Sequence, residues 1–401
     1  MSQIIDYLRY RWLLWQWKRR ARKKRRANVK VGNLRNFFQR LHQEDIVYVV
    51  LRWPEEIPWD SQALPKNDER DLDMLVRDQD LERFCRVAAN SPGRTKIDLY
   101  SNGIRLGTDI KRLPYYPPSL GTEILAGRRL DEAAQVFVPS GRAAALSLAY
   151  HAVYHKGFDS GMPFAAGEKP RRVAKHDYIG RIKAFADTAD LVLPPEFTLV
   201  ALHEWLKTQG WAMPYDLLER WPVRHEGLEM LLQRETQLLQ AMLQAAGLQD
   251  LLVFLLREDA IEAGAGEMIL QELSGQFQVL GQERLSPQQQ RLVSRMTRGG
   301  DWTLHKSTQV IPPVLAVFCH DPCPEPVPAD SPSAKLHPHV RNNRIFFKHR
   351  LRQNLSTRFP GANNFMHGSD NDCESCQYVQ AIYGDNTLAI LQQWHSQIAA
   401  G

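Results

Sequence analysis

Two short apolar runs constrain this chain most: Ile46-Val-Tyr-Val-Val-Leu51 and Leu251-Leu-Val-Phe-Leu-Leu256. Each is strand-length and bounded by polar or turn-forming residues, so each reads as a strand. They lie far apart in 401 residues, and one core of that length would exceed the usual size of a single domain, so two domains are expected. A hydrophobic fraction of 43% against 24% charged residues places both among globular rather than disordered chains. No apolar run approaches the roughly 20 residues that a membrane-spanning helix needs.

Further short strands follow the first run, at Leu72–Val76 and Lys96–Tyr100. Residues 119–160 and 173–245 carry mainly helical periodicity, punctuated by Pro194, Pro195, Pro214 and Pro222. The Leu-, Gln- and Glu-rich stretch 225–247 leads toward the second run. Beyond Leu251 the pattern predicts a helix from about Gly266, a strand over Phe277–Leu280 and a helix from Ser286. A strand over Val314–Phe318 and a Pro-rich loop at 322–338 complete it. The expected class is α/β in the broad sense (α+β). A mixed sheet with a helical extension should fill 31–248 and a small α/β sandwich on an antiparallel sheet 249–401, after a basic segment at 1–30.

That segment holds eleven Lys or Arg and a single acid, Asp6, whereas the remaining residues carry 40 bases and 44 acids. Ile4, Leu8, Trp12 and Trp15 recur at helical spacing just before the basic run Lys18–Arg26, with Trp17 close by. Tryptophan beside clustered cations suits the headgroup layer of an anionic membrane, each cation adding about 1 kcal/mol near the surface. Packing of the helix on the body is the equal alternative, and nucleic-acid phosphates rank well behind both. No apolar core with a small-residue cleavage site opens the chain, and five cysteines do not suggest a secreted disulfide framework. The expected compartment is therefore the cytoplasm, at the inner face of the membrane if residues 1–26 dock there.

Asp71-Leu-Asp73 begins a strand in which alternate residues share a face, and Asp98 sits within the next strand. Three carboxylates on adjacent strands suit Mg²⁺ and the phosphates of a nucleotide; acids at strand ends are also common without any such role. The segment Val-Val-Leu-Arg-Trp-Pro, followed by Arg-Asp-Leu-Asp-Met-Leu-Val, resembles nucleotidyltransferase-like proteins of envelope polysaccharide loci over roughly 40–200. The resemblance implies that Asp71, Asp73 and Asp98 are catalytic metal ligands. The family's Gly-Ser turn is replaced by Leu51-Arg52-Trp53, which leaves Arg52 as the phosphate-binding candidate. His151 and His155, four residues apart on a helix, read as core or capping histidines before metal ligands. With Lys156, Arg171, Arg172 and His176 they add positive charge for a phosphate-bearing substrate.

Asn364-Phe-Met-His367-Gly-Ser369-Asp follows a basic helix. A neutral imidazole is a good phosphoryl acceptor near pH 7, and the guanidinium and ammonium groups of Arg341, Arg344, Lys348, Arg350, Arg352 and Arg358 are candidates to neutralise a phosphate. The segment resembles the active site of nucleoside diphosphate kinases. The strand and helix after Leu251, and Pro313-Val-Leu-Ala-Val-Phe, extend the resemblance over about 250–384. It implies a ferredoxin-like sandwich, His367 as nucleophile, Asn364 near the nucleotide and Ser369 orienting the imidazole. Arg352 would clamp phosphate, and Arg257 would replace the family's strand lysine; the supporting acid is out of register, with Glu374 close by. Cys319 and Cys323, with Cys373 and Cys376, have zinc-like spacing but read first as unrelated thiols. Together these features predict an ATP- or other NTP-dependent, Mg²⁺-assisted phosphoryl or nucleotidyl transferase acting on a sugar or glycan-phosphate acceptor. The alternative is a nucleotide-binding scaffold without turnover. The acceptor and the oligomeric state are left open.

Overall fold

The computed structural model describes residues 2–22, 28–59, 71–103, 113–297, 311–360, 362 and 365–400. The chain is mixed α/β and divides into two compact units, one of residues 1–213 and 221–229, the other of 214–220 and 230–401. The division falls within a helix that the sequence expectation placed wholly before a boundary at 248.

In the first unit, α1 (Ser2–Arg22), β1 (Asn28–Val31), α2 (Leu34–Gln43) and β2 (Tyr48–Val50) are followed by β3 (Asp71–Val76), α3 (Leu81–Ala89) and β4 (Thr95–Ser101). The sheet order is β1-β4-β3-β2. Only β3 and β4 run parallel, joined through α3; the outer pairings are antiparallel. Phe37, Phe38 and Leu41 of α2 and Phe84, Cys85 and Val87 of α3 pack with Tyr48, Met74, Ile97 and Leu99 in one core. Gly93 is required by a close approach: a Cβ there would lie 2.2 Å from the Gly32 Cα. No backbone tolerates that overlap, so any side chain would pry apart the strand ends bridged at Val31 and Pro92.

Beyond the sheet come α4 (Pro118–Ala126), a hairpin of β5 (Arg128–Asp131) and β6 (Val136–Pro139), α5 (Gly141–His151), α6 (Tyr178–Asp187) and α7 (Leu199–Thr208). The helical extension expected after the sheet is present. At its C-terminus α5 widens into a π-helical turn, Ala152–Lys156, ended by Gly157 at φ +54°. A Cβ on Gly157 would meet the His225 ring at 2.4 Å, a second reason for glycine there. Single π-turns inside α-helices recur at functional sites because they re-aim side chains.

The second unit contains α8 (Tyr215–Arg220) and the later part of α9 (Glu226–Ala246), and then its own sheet. The elements run β7 (Leu251–Arg257), α10 (Glu258–Glu262), α11 (Gly266–Ser274), β8 (Gln278–Arg284), α12 (Pro287–Met296), β9 (Pro313–His320), α13 (Pro332–Leu336), α14 (Phe347–Arg358), β10 (Met366–Gly368), α15 (Asp372–Tyr383) and α16 (Thr387–Ala400). The sheet is antiparallel throughout, in the order β10-β7-β9-β8. The second apolar run is its inner strand, and the strand period divides it between two cores. Leu251, Val253 and Leu255 pack with residues of α15 and α16, whereas Leu252, Phe254 and Leu256 pack with residues of α11 and α14. Among the described residues no helix is long and apolar enough to cross a membrane.

Phe254 is fully buried and stacks on Phe277 at 5.8 Å, with Phe347 edge-on at 6.0 Å. Phe254→Ala should cost about 3–5 kcal/mol through lost transfer energy and a residual cavity, read as a lowered denaturation midpoint of the second unit.

Candidate functional site

In the first unit the parallel register sets Asp73 directly beside Asp98 and Asp71 beside Lys96. Strand alternation keeps Asp71 and Asp73 on one face, and all three carboxylates line a cavity of about 730 Å³. Tyr100, Tyr115, His151, His155 and Lys156 also line it, as do Lys175, His176 and Tyr178. Sequence reasoning therefore identified carboxylates that do converge, and the histidine pair joins the same cavity.

The carboxylates are held by two cations. Lys96 Nζ donates to Asp71 Oδ2 at 2.9 Å and to Asp98 Oδ2 at 3.2 Å. Arg52 Nη2 lies 2.5 Å from Asp73 Oδ2, while Tyr100 donates its hydroxyl to Asp73 Oδ1 at 3.1 Å. Burial opposes the charge on Asp71, but the Lys96 hydrogen bond and charge outweigh it and hold the carboxyl below its ordinary range. Burial likewise works against Lys96, and Asp71 and Asp98 more than compensate, raising its pKa. Burial also disfavours the charge on Arg52, yet Asp73 keeps it firmly protonated.

Trp53, next to Arg52, adopts a left-handed conformation at φ +50°. An aromatic residue is strained there, and three contacts keep it in place: His176 stacked at 4.4 Å, Tyr178 edge-on at 5.6 Å and the Arg181 guanidinium 5.3 Å from the ring. The end of α5 and its π-turn carry His151 and His155 in. Tyr115 Oη and His151 Nδ1 lie 2.5 Å apart, Tyr178 Oη stands 3.5 Å from His151 Nε2, and His155 stacks on Tyr115 at 3.8 Å. Burial, followed by the Arg52 charge, drives the His151 pKa well below 6.5, so its imidazole is neutral at neutral pH. Arg171 and Arg172 instead pair with Glu226 and Asp159.

The donor set suits a hard divalent cation, but the three carboxylates do not close into one cage. Lys96 spans Asp71 and Asp98, while Asp73 is committed to Arg52 and Tyr100. Lys96 is over a third exposed and free to swing out, whereas the Arg52 side chain is 6% exposed and is not. The fit is therefore to Asp71 and Asp98, with Asp73 positioned beside them.

In the second unit His367 stands on β10 opposite Leu255, with a side chain only 4% exposed. Its Nε2 lies 3.0 Å from Glu374 Oε1 and 3.1 Å from the Tyr378 hydroxyl. The out-of-register acid is thus brought onto the imidazole by the turn into α15. Burial first, and then the charge of Asp370, raise the Glu374 carboxyl to about 7. A protonated Glu374 can donate to the ring, and an ionised one accepts from it.

The next residues stitch elements together. The Val253 N–H donates to Ser369 Oγ at 3.0 Å, and the Ser375 hydroxyl donates to the same oxygen at 2.8 Å. Ser369 therefore fastens β7 to α15, where orientation of His367 was expected. Asp370 receives Lys348 at 3.2 Å and an ion pair from Arg220, which also pairs with Asp216. Lys348 Nζ reaches the Gly368 carbonyl at 3.0 Å as well. Expected at a phosphate, Lys348 is buried in this network, and Arg344 is tied to Asp321 and to the carbonyls of Cys323 and Gln276. Arg352 donates to the Met366 carbonyl at 2.7 Å. Arg257 is fully buried, and burial chiefly lowers its pKa to about 10, with Asp259 opposing the shift and the Arg352 charge adding to it. Asn364 lies outside the described residues. Cys319, Cys373 and Cys376 are buried free thiols and Cys323 an exposed one; among the described residues no cysteine joins a metal-ligand cluster.

Sequence reasoning missed Lys96, whose two-residue spacing from Asp98 on one strand face was a visible signal. It also missed Tyr100, Tyr115 and Tyr178, which the fold gathers from separate elements, and the Arg220–Asp370–Lys348 network. Comparisons with protein-family models, with curated proteins and with solved structures found no match.

Asp370→Asn should destabilise the second unit by about 3–5 kcal/mol, because Lys348 and Arg220 lose their shared buried partner; a calorimetric melt measures it. Because the pKa of Asp370 is depressed on folding, its contribution is present above the ordinary carboxylate range and disappears as pH falls through and below it. Glu374 has the opposite sign. Its raised pKa gives stability that is full below about 4.5 and lost as pH rises through about 7. Glu374→Gln should therefore flatten the fall in melting temperature over that window.

Proposed function

We propose that the first unit is a nucleotide-dependent transferase whose active site is the cavity over Asp71, Asp73 and Asp98. One observation carries the reading: a parallel strand pair lines up three carboxylates on the floor of a cavity whose walls bring in Lys156, Lys175 and His176. Its volume falls within the range of small-molecule sites, roughly 300–1,000 Å³. Basic wall residues suit the phosphates of a nucleoside triphosphate, and the buried Arg52 fixes Asp73. Mg²⁺ at Asp71 and Asp98 would neutralise phosphate charge. His151, neutral and flanked by Tyr115 and Tyr178, would polarise those hydroxyls toward the cavity, and an acceptor bearing hydroxyl and phosphate groups, such as a sugar or glycan phosphate, would suit them. The strain at Trp53 supports the reading, since such strain concentrates at functional positions.

For the second unit we propose a nucleotide-binding role, with a phosphorylated His367 as the intermediate to test. A strand order of β10-β7-β9-β8 with helical crossovers supports a ferredoxin-like arrangement of the nucleoside diphosphate kinase kind. Burial of His367 requires a donor to gain access by local opening. The Lys96 and Arg52 ion pairs favour the second reading, a nucleotide-binding scaffold without turnover, because both counter the charge that a metal would meet.

Incubation with Mg²⁺ and either α- or γ-labelled nucleoside triphosphates, with mono- and oligosaccharide phosphates as acceptors, separates these readings. Transfer by the first unit should fall at least a hundredfold in Asp98→Asn and persist in His367→Ala. Nucleotide binding without transfer to any acceptor would favour the scaffold. An acid-labile label from γ-labelled ATP, lost in His367→Ala, would support the phospho-histidine. Lys96→Met should raise affinity for Mn²⁺ in calorimetry by removing the competing cation; unchanged affinity would count against Asp71 and Asp98 as ligands.

A further inference from the structure

Among the described residues of α1, those packed against the body of the first unit lie on one side of the helix. Leu13 and Tyr10 pack against its core, and the Arg86 guanidinium sits 5.2 Å from the Tyr10 ring. Ile4, Leu8, Trp12 and Trp15 recur at i, i+4, i+8 and i+11 and are 65%, 60%, 60% and 51% exposed. That spacing makes one stripe along the helix, turned away from Tyr10 and Leu13. Cations lie along it: the Arg11 guanidinium is 5.9 Å from the Tyr7 ring, and that of Arg19 is 5.4 Å from Trp15. A stripe of this length holding two tryptophans is costly to leave in water.

We propose that this outer face of α1 docks the protein on an anionic lipid bilayer, with the helix lying in the plane of the headgroups. Charge selects the occupant. Residues 1–30 carry eleven bases and one acid, so a second copy brought against this face would meet strong like-charge repulsion, whereas anionic headgroups are attracted. Nucleic acid would satisfy the cations but leave Ile4, Leu8, Trp12 and Trp15 without an apolar partner. A bilayer surface satisfies both, because tryptophan favours the headgroup boundary and arginine reaches back to lipid phosphates. Leu13 and Tyr10 hold the helix to the folded unit, so the unit itself is brought to the surface. The inference rests on α1 alone and stands whether or not the cavity is catalytic.

The test is flotation of the full-length protein with phosphatidylserine–phosphatidylcholine vesicles and with phosphatidylcholine vesicles, at low and high salt. Binding is expected to the anionic vesicles, weakened at least tenfold by high salt or by omission of phosphatidylserine. Trp12→Glu/Trp15→Glu should abolish flotation with an unchanged circular-dichroism melt. Arg11→Glu/Arg19→Glu, on exposed positions, serves as a second variant and should weaken it. The proposal is overturned if the wild type stays unbound on anionic vesicles or if both variants float like it. It is equally overturned if sedimentation shows the stripe sealed in a dimer, or if binding to a DNA duplex competes fully with vesicles and survives Trp12→Glu/Trp15→Glu.

Discussion

The parallel pairing of β3 with β4 is the constraint on which the first unit depends. Parallel neighbours cannot be joined by a tight turn, so the chain must cross over, and α3 is that crossover. The crossover fixes which residues meet: Asp73 beside Asp98, Asp71 beside Lys96. A shift of one residue would send one set of these groups into the core under α2 and α3. The apolar residues Leu72, Met74, Ile97 and Leu99 hold the register by burying the opposite face. Packing on one side of the sheet thus determines the electrostatics on the other.

The second unit relies on a different device. The short strand β10 is fastened to its neighbours mainly by polar groups around it, including Ser369, Asp370, Lys348 and Glu374. Lys348, Asp370 and Glu374 each have a buried partner, as low-dielectric surroundings demand. The cost is that His367 lies at the centre of a tightly bonded region. Its chemistry, if used, is coupled to opening of the same bonds that define the local structure.

Much of this was legible in the sequence. The two apolar runs announced two sheets, and alternation alone placed Asp71 and Asp73 on one face. Strand order, Lys96 as countercharge and the tyrosines around His151 were not, since they depend on contacts between residues far apart in sequence. The π-turn was hidden as well: 152–156 reads as ordinary helix, and the close approach of His225 to Gly157 that ends it links residues far apart in sequence. Lys348 and Arg344 were misplaced for a related reason, because a basic residue in a sequence gives no sign of the acid it will be buried against.

Lys96 and Arg52 give the carboxylate floor its own counterions, and this bears on how the protein is made. A cluster of bare carboxylates ties folding to the supply of a cation, as in small domains that stay unfolded until they are loaded with metal. Here two side-chain cations already offset most of the charge of the three carboxylates. The protein's own cations thus stand where a metal would otherwise be needed, and any divalent ion enters as a competitor for a place that Lys96 already keeps.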